Sequence, residues 1–325
     1  MTLRLISDET RKVRSPYLVE PIAILTFTFV ISVCHDPSSM TEQLSMRSLR
    51  VLFVVQGEGR GHMTQALAMQ QMLERAGHEL AHVVIVTNPS RRVPAFFKKK
   101  IGAPLTSIEG PGFVADEATK GIKPGSSLIS NLKSASDVLG GVKRLYTCIE
   151  DAQPDLIVNF YDLLTGIMSQ RFRPDIPIVA VGHQYLFQHS DFEFPPGRNW
   201  DRWLFRAFTR ATALGSSLRL ALSFYPLAAY RNRGITVVPP LMRKELLDQP
   251  LDREEEFVLV YLLNEGYAEE IISWHERHPE VPIHCFWDRD DAAAEEVYDE
   301  TLTFHQLDDE KFLDRMARCA GIATT

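Results

Sequence analysis

The chain has 325 residues, 45% hydrophobic and 24% charged, with 18 Gly and 19 Pro. Those proportions exclude a disordered, collagenous or coiled-coil protein and leave a globular chain with room for about two domains. A formal net charge of −7 argues against a protein that holds nucleic acid by neutralising its phosphates. Cys34, Cys148, Cys285 and Cys319 lie far apart and form no CxxC pair. This spacing disfavours a zinc ribbon or a disulfide framework and fits a reducing compartment.

At the amino end, Arg11, Lys12 and Arg14 precede an apolar run from Pro21 to Cys34. The run is shorter than the roughly 20 residues of a spanning helix. No small-x-small cleavage site follows it, so residues 1–48 read as an extension outside the fold, with a signal or membrane anchor as the rival reading. Val51–Val55 (VLFVV) is a continuous apolar run of buried-strand type. Gly57-Glu58-Gly59-Arg60-Gly61-His62 follows, and then Ala66, Met69, Leu73 and Ala76 at helical spacing, closed by Gly77. His82–Thr87 is a second buried-type strand, which completes a right-handed parallel βαβ unit.

The alternation continues. Leu128–Glu150 reads as one or two helices, Leu156–Asn159 as a strand, Leu163–Arg171 as a helix and Pro177–Val181 as a strand. Trp200–Leu214 is an amphipathic helix, and Leu218–Tyr225 and Ile235–Val238 are two more strands. Strands alternating with helices predict an open sheet covered on both faces. Pro239-Pro240 and the charged stretch Met242–Glu256 read as a linker. A new sheet opens at Phe257–Leu262, with a helix from Tyr267 to about His278, strands at Val281–Trp287 and Thr301–Phe304, a helix at Asp309–Ala317 and a final strand from Gly321.

A glycine loop between strand and helix offers backbone N–H groups at a helix N-terminus, which together with the helix dipole favours an anion. A tight turn that needs glycine only for its geometry is the plainer alternative. A dinucleotide fingerprint fits poorly, because the loop reads GxGxG and Asn88, not an acid, follows the second strand; Arg91-Arg92 is all that would meet a 2′-phosphate. No Gly-Lys-Ser/Thr of a P-loop is present. His62 stands at the mouth of the loop. A helix start lowers the pKa of an imidazole, and a neutral His beside a polyol is a suitable general base. A capping or merely hydrogen-bonding His is the bland reading of the same residue.

Val51–Gln65 (VLFVVQGEGRGHMTQ) resembles the opening of GT-B glycosyltransferases, most closely the MurG-type and UDP-glycosyltransferase-like branch. Pro154–Val158, Pro177–Gln184 (PIVAVGHQ) and Phe257–Leu262 agree with that order of pieces. The resemblance implies an α/β fold of two Rossmann-like domains with parallel sheets facing across a cleft, the second incomplete. The domains would be 49–240 on the acceptor side and 257–325 on the donor side, joined by 241–256. It also implies sugar transfer from a nucleotide-sugar co-substrate to a hydroxyl acceptor, inverting and with no metal or other cofactor. His62 then matches the base. Gly57, Gly59 and Gly61 form a backbone cradle with Arg60 and Gln65 beside it. Asp162, His183 and Gln184 face the cleft. Some relatives have an Asp where this chain has Phe160, so Asp162 is the substitute for orienting the base. The family's donor-binding glycine–serine–glutamate segment would follow residue 325, so a chain ending there is expected to bind donor poorly.

Other features are weaker. His183, His189, Asp191 and Glu193 are too scattered for a metal site. Tyr185, Phe187, Phe192 and Phe194 read better as stacking surfaces for an acceptor, or as an ordinary aromatic loop. Lys98-Lys99-Lys100 adds local positive charge, and Arg202, Arg206 and Arg210 share one helix face. With Trp200 and Trp203 beside them, these arginines fit a membrane surface or a lipid-linked acceptor; a solvated helix face is the simpler account. Asp288–Glu300 reads as an exposed acidic loop or helix. The reading that unites these features is a cytoplasmic glycosyltransferase, with contact to a membrane surface as an addition. A nucleotide-sugar 2-epimerase of the same fold and a truncated, non-catalytic chain are its rivals.

Overall fold

The computed structural model describes residues 47–88, 92–110, 135–197, 199–227, 234–248, 255–262, 265–287, 289 and 293–324. The apolar run Pro21–Cys34, Arg91 and the greater part of the acidic residues at 288–292 lie outside the described residues. The described chain falls into two compact units, one ending at Lys244 and the other beginning at Glu245.

The first unit is built on β1 (Arg50–Gln56), β2 (Glu79–Thr87), β3 (Leu105–Glu109), β4 (Leu156–Phe160), β5 (Ile178–Gly182), β6 (Leu218–Leu222) and β7 (Ile235–Val238). They form one seven-stranded sheet in the order β3-β2-β1-β4-β5-β6-β7. Every pairing in it is parallel. Its helices are α1 (Arg60–Arg75), α2 (Ala95–Lys100), α3 (Ala135–Ala152), α4 (Leu163–Phe172) and α5 (Asn199–Thr212).

β1 shows why a continuous apolar run is needed. Successive side chains alternate between the two faces of a sheet. Val51, Phe53 and Val55 enter a core with Met63, Ala66, Leu67 and Leu73 of α1. Leu52 and Val54 enter the other core, with Val142, Leu145 and Ile149 of α3 and Leu164 and Met168 of α4. Both faces are therefore dry, and burying one such side chain contributes about 1.5–3 kcal/mol.

Several expectations need adjusting. β3 was not anticipated: LTSIE is an edge strand, half polar, and its only fully buried side chain is Ile108. Lys98, Lys99 and Lys100 occupy the last turn of the short α2, where cations complement the helix dipole. The strand read as Leu218–Tyr225 stops at Leu222. Within the linker stretch, α6 (Lys244–Leu247) is helical and 249–254 lie outside the described residues.

The second unit contains β8 (Val258–Tyr261), α7 (Ala268–His275), β9 (Ile283–Trp287), β10 (Glu295–Val297), β11 (Leu302–Gln306), α8 (Asp309–Arg318) and β12 (Gly321–Thr324). The sheet order is β10-β11-β9-β8-β12. It is mixed rather than wholly parallel, because β10, cut from the acidic stretch read as loop or helix, pairs antiparallel with β11. An apolar core of Val258, Val260, Ile271, Ile283, Cys285 and Phe304 lies on one face. Phe257, Leu259 and Phe286 pack on the other against Phe312 and Met316 of α8. Asp308 caps α8 by accepting from the Lys311 amide at 2.8 Å.

Candidate active site

The chain runs β1, β2, β3 toward one edge of the seven-stranded sheet and β4 to β7 toward the other. The order therefore reverses between β1 and β4, and open parallel sheets bind ligands beyond the carboxyl ends of the strands at such a reversal. Three pieces of chain meet there: the loop and first turn after β1, the turn after β4, and the 3₁₀ turn His183–Gln188 after β5.

The loop after β1 is held closely against β2. The Gly57 amide donates to the Val86 carbonyl at 2.7 Å, and the Glu58 carboxylate accepts from the Asn88 amide at 2.8 Å. A Cβ on Gly57 would stand 2.2 Å from Thr87 Cγ2, so this glycine is required by the close approach of the two chains. Gly59 and Gly61 differ, because a Cβ on either would meet nothing within 4 Å among the described residues. Gly59 is the N-cap of α1 and supplies no capping side chain. The start of α1 is thus capped by a residue without a side chain, at a position where a helix favours an anion. The helix begins at Arg60, so Gly61 and His62 belong to its first turn and not to the preceding loop, as the sequence reading had them.

His62 is buried. Its ring lies between those of Tyr161 (centroids 5.7 Å apart, 17° between planes) and His183 (6.2 Å, 6°). Nε2 is 3.2 Å from the Gln184 side-chain amide nitrogen. Among the described residues, Nδ1 is buried without a hydrogen-bond partner, and so are the side-chain oxygens of Gln65 and Gln184. Burial of the ring, and then the neighbouring His183, lower the His62 pKa to about 4, while Gln65 opposes this. Loss of water is the largest cause of the low pKa, ahead of the neighbouring His183. His183 is exposed, and the protein that covers part of its ring lowers its pKa too.

Tyr161 adopts a left-handed backbone with φ +62°, a conformation that costs a bulky residue free energy. Its hydroxyl shares a 2.8 Å hydrogen bond with Thr209 Oγ1. The buried Asn159 closes the same turn: its amide nitrogen donates to the carbonyls of Asp162 and Thr212, and its side-chain oxygen accepts from the Asp162 amide.

A family model of "Glycosyl transferase family 1" matches residues 49–325. The chain belongs to glycosyl transferase family 1. Over 139 residues it is 28% identical to an uncharacterized glycosyltransferase of Methanosarcina acetivorans, a match that covers 42% of this chain and 32% of that one. The chain therefore spans about a third of the length of this curated relative. Among solved structures, Arabidopsis thaliana UGT89C1 is 16% identical with a TM-score of 0.52, covering 86% of this chain and 74% of that chain. Its complex with UDP-L-rhamnose gives 15%, 0.51, 86% and 75%. At this identity the likeness shows the fold, which is GT-B.

In this family 1 glycosyltransferase chain, Gly57, Gly59, Arg60, Gly61, His62, Gln65, His183 and Gln184 all come to one end of the sheet. Arg60 extends over the Phe96 ring at 5.6 Å. Asp162 has a different role from the one expected of it. Its carboxylate caps α4, accepting from the Thr165 amide at 3.0 Å and from Thr165 Oγ1 at 3.3 Å. Among the described residues, no hydrogen bond or ion pair joins it to His62, whose polar neighbour is the Gln184 amide. Burial raises the Asp162 pKa to about 6, against the pull of these hydrogen bonds. Phe160, where some relatives have Asp, is fully buried edge-on to Phe53.

Tyr185 is also corrected. It is fully buried, with its hydroxyl 3.2 Å from Thr212 Oγ1, and offers no stacking surface. Phe187, Phe192 and Phe194 pack on one another, and Phe187 also packs on Phe205. Tyr161 is the site residue that sequence reasoning missed. Its signal was the Asn-x-x-Asp spacing around it, which marks a closed turn at a strand end. Among the described residues, no group of three or more His, Cys, Asp or Glu side chains is placed to hold a metal ion. No helix among them is long and apolar enough to cross a membrane.

Proposed function

We propose that the chain transfers a sugar from a nucleotide-sugar donor to a hydroxyl acceptor, inverting the anomeric carbon without a metal ion, and that His62 is the base. The observation that carries this reading is a buried imidazole whose Nδ1 makes no hydrogen bond among the described residues, with the Gln65 side chain near enough to raise the pKa of the ring. It stands in the first turn of a helix whose glycines border open space. With its pKa near 4, His62 is neutral at pH 7 and so holds a free lone pair. Turning the Gln184 amide over exchanges two atoms of equal size. Its carbonyl then accepts from Nε2–H and leaves the lone pair on Nδ1.

In the reaction, Nδ1 takes the hydroxyl proton while the acceptor oxygen bonds to the anomeric carbon. The bond from that carbon to the diphosphate breaks, and the nucleoside diphosphate leaves with its electron pair. A base this weak cannot hold the proton of a free alcohol, so proton removal accompanies carbon–oxygen bond formation. The amino-terminal end of α1, with its dipole, suits a phosphate or another anionic group. The nucleotide-sugar is the co-substrate, and no other cofactor is invoked. UGT89C1 has been solved with UDP-L-rhamnose and with quercetin, which supports the kind of donor and acceptor. A glycan or a lipid-linked alcohol fits the acceptor role equally well. Cys148, Cys285 and Cys319 are free thiols, which supports a cytoplasmic setting.

The test is release of nucleoside diphosphate from UDP-, GDP- and TDP-sugars in the presence of candidate acceptors. His62→Ala is expected to lower kcat by about 10²–10⁴-fold while leaving donor binding intact. Unchanged turnover removes His62 as the base. A rate that a chelator abolishes and Mg²⁺ restores removes the metal-independent step.

A further inference from the structure

The transfer chemistry makes no use of the outward face of α5. Trp200 and Trp203 are 67% and 59% exposed, and they stack on each other at 5.2 Å instead of folding into the protein. Phe208, Thr209 and Thr212 are the buried residues of that helix. At about 100° per residue, Trp203, Arg210 and Trp200 lie within an arc of about 80° opposite them, while Arg206 and Arg202 flank that arc on the side of Thr209. Arg202 and Arg210 are exposed. The Arg202 guanidinium lies over the Phe194 ring, and Arg210 donates from Nε to Gln188. In a parallel sheet the connecting helix runs against the strands, so α5 begins at the end where β6 finishes. Just past β6 stand Phe224 and Tyr225, 81% and 78% exposed.

Four large aromatic side chains thus project into water at one end of one sheet, beside cations, on a chain whose net charge is −7. Tryptophan and tyrosine settle at the boundary between lipid and water, and arginine there meets anionic headgroups. Asp191 and Glu193, exposed on the loop before α5, oppose the arginines. The aromatic side chains are therefore the main anchor, and the charge selects the lipid. We propose that the outward face of α5, with Phe224 and Tyr225, docks the protein reversibly on an anionic lipid surface.

The experiment is sedimentation of the full chain with vesicles of phosphatidylcholine, alone or containing phosphatidylglycerol, followed by tryptophan fluorescence. The wild type is expected to sediment with the anionic vesicles and to shift its emission to the blue. Trp200→Ser/Trp203→Ser is expected to lower partitioning about tenfold and to abolish the shift. Arg202→Gln and Arg210→Gln are each expected to reduce the preference for anionic vesicles about fivefold. Trp200 and Trp203 are on the surface, so the thermal midpoint of their double variant should not move, whereas Arg210→Gln also loses the hydrogen bond to the buried Gln188 and is compared at a temperature well below its own midpoint. Wild-type protein that stays in the supernatant with both vesicle types overturns the proposal, as do variants that sediment like the wild type. A lipid-free dimer that becomes a monomer in the Trp200→Ser/Trp203→Ser chain also overturns it, by showing the face to be a contact between copies.

Discussion

Gly61→Ala separates what the fold needs from what a ligand needs. Gly61 occupies the second helical position of α1, and a methyl group there touches nothing within 4 Å. Alanine loses less backbone entropy than glycine in a helix, so the exchange stabilises by about 0.5–1 kcal/mol. In a domain of this size that is a rise of roughly 1–4 °C in Tm. If a substrate approaches the first-turn amides, the same methyl group stands in its path, and kcat/KM falls at least about tenfold, or 1.4 kcal/mol. Gly57→Ala is the control. Its Cβ would be 2.2 Å from Thr87 Cγ2 and 3.0 Å from the Val86 carbonyl, so overpacking is expected to cost about 1–3 kcal/mol. Thermal melts followed by circular dichroism, paired with the nucleotide-release assay, measure both quantities. A Gly61→Ala chain that is more stable and fully active refutes the argument that its glycine leaves room for a ligand.

Further predictions concern protonation. Asp162→Asn keeps the capping oxygen of α4 and removes a buried charge. The Asp162 pKa is raised to about 6 from its usual 3.8, so the charge lowers stability as pH rises through that window. Urea unfolding should therefore find the Asn variant up to about 3 kcal/mol more stable at pH 7 and no more stable at pH 3.5. The His62 pKa is lowered, so the unfolded chain binds a proton there between pH 6.5 and about 4 and stability falls as pH drops through that range. His62→Gln should remove this loss, up to about 3 kcal/mol, and the pH dependence of unfolding measures it. Gln184→Glu places a carboxylate beside Nε2. It should raise the His62 pKa and move the acid limb of the kcat/KM profile upward by about 1–3 pH units, whereas a purely structural role for Gln184 would lower rates without moving the limb.

The parts of the fold legible in sequence are those where both faces of a strand are dry. VLFVV, VVIV and IVAV need no alternation pattern, because each residue enters a core on one face or the other. LTSIE escaped because an edge strand with one buried side chain carries almost no hydrophobic signal. The glycine loop and His62 were legible as a place, since glycines between a strand and a helix have few other uses. The partners of His62 were less so. A carboxylate that caps a helix and one that orients a base look alike in sequence, and Asp162 is the former because Thr165 stands three residues later. Tyr185 was read as a contact surface, but the 3₁₀ turn after β5 points it inward to Thr212. Neither orientation follows from composition or spacing.

The sheet order also governs when the site can exist during folding. β1 pairs with β4 across more than a hundred residues: the Arg50 amide bonds Asp155, 105 positions away. His62 and Gln184, which meet at 3.2 Å, are 122 positions apart. Closing loops of that length costs chain entropy before any contact offsets it, so such pairings form slowly and late. The βαβ unit of β1, α1 and β2 can assemble locally, but it then presents the imidazole to water on an unfinished edge. The low His62 pKa rests on burial of the ring, and that burial is completed by the turns after β4 and β5, which supply Tyr161 and His183. Imidazole resonances followed during refolding would therefore report completion of the sheet at its centre.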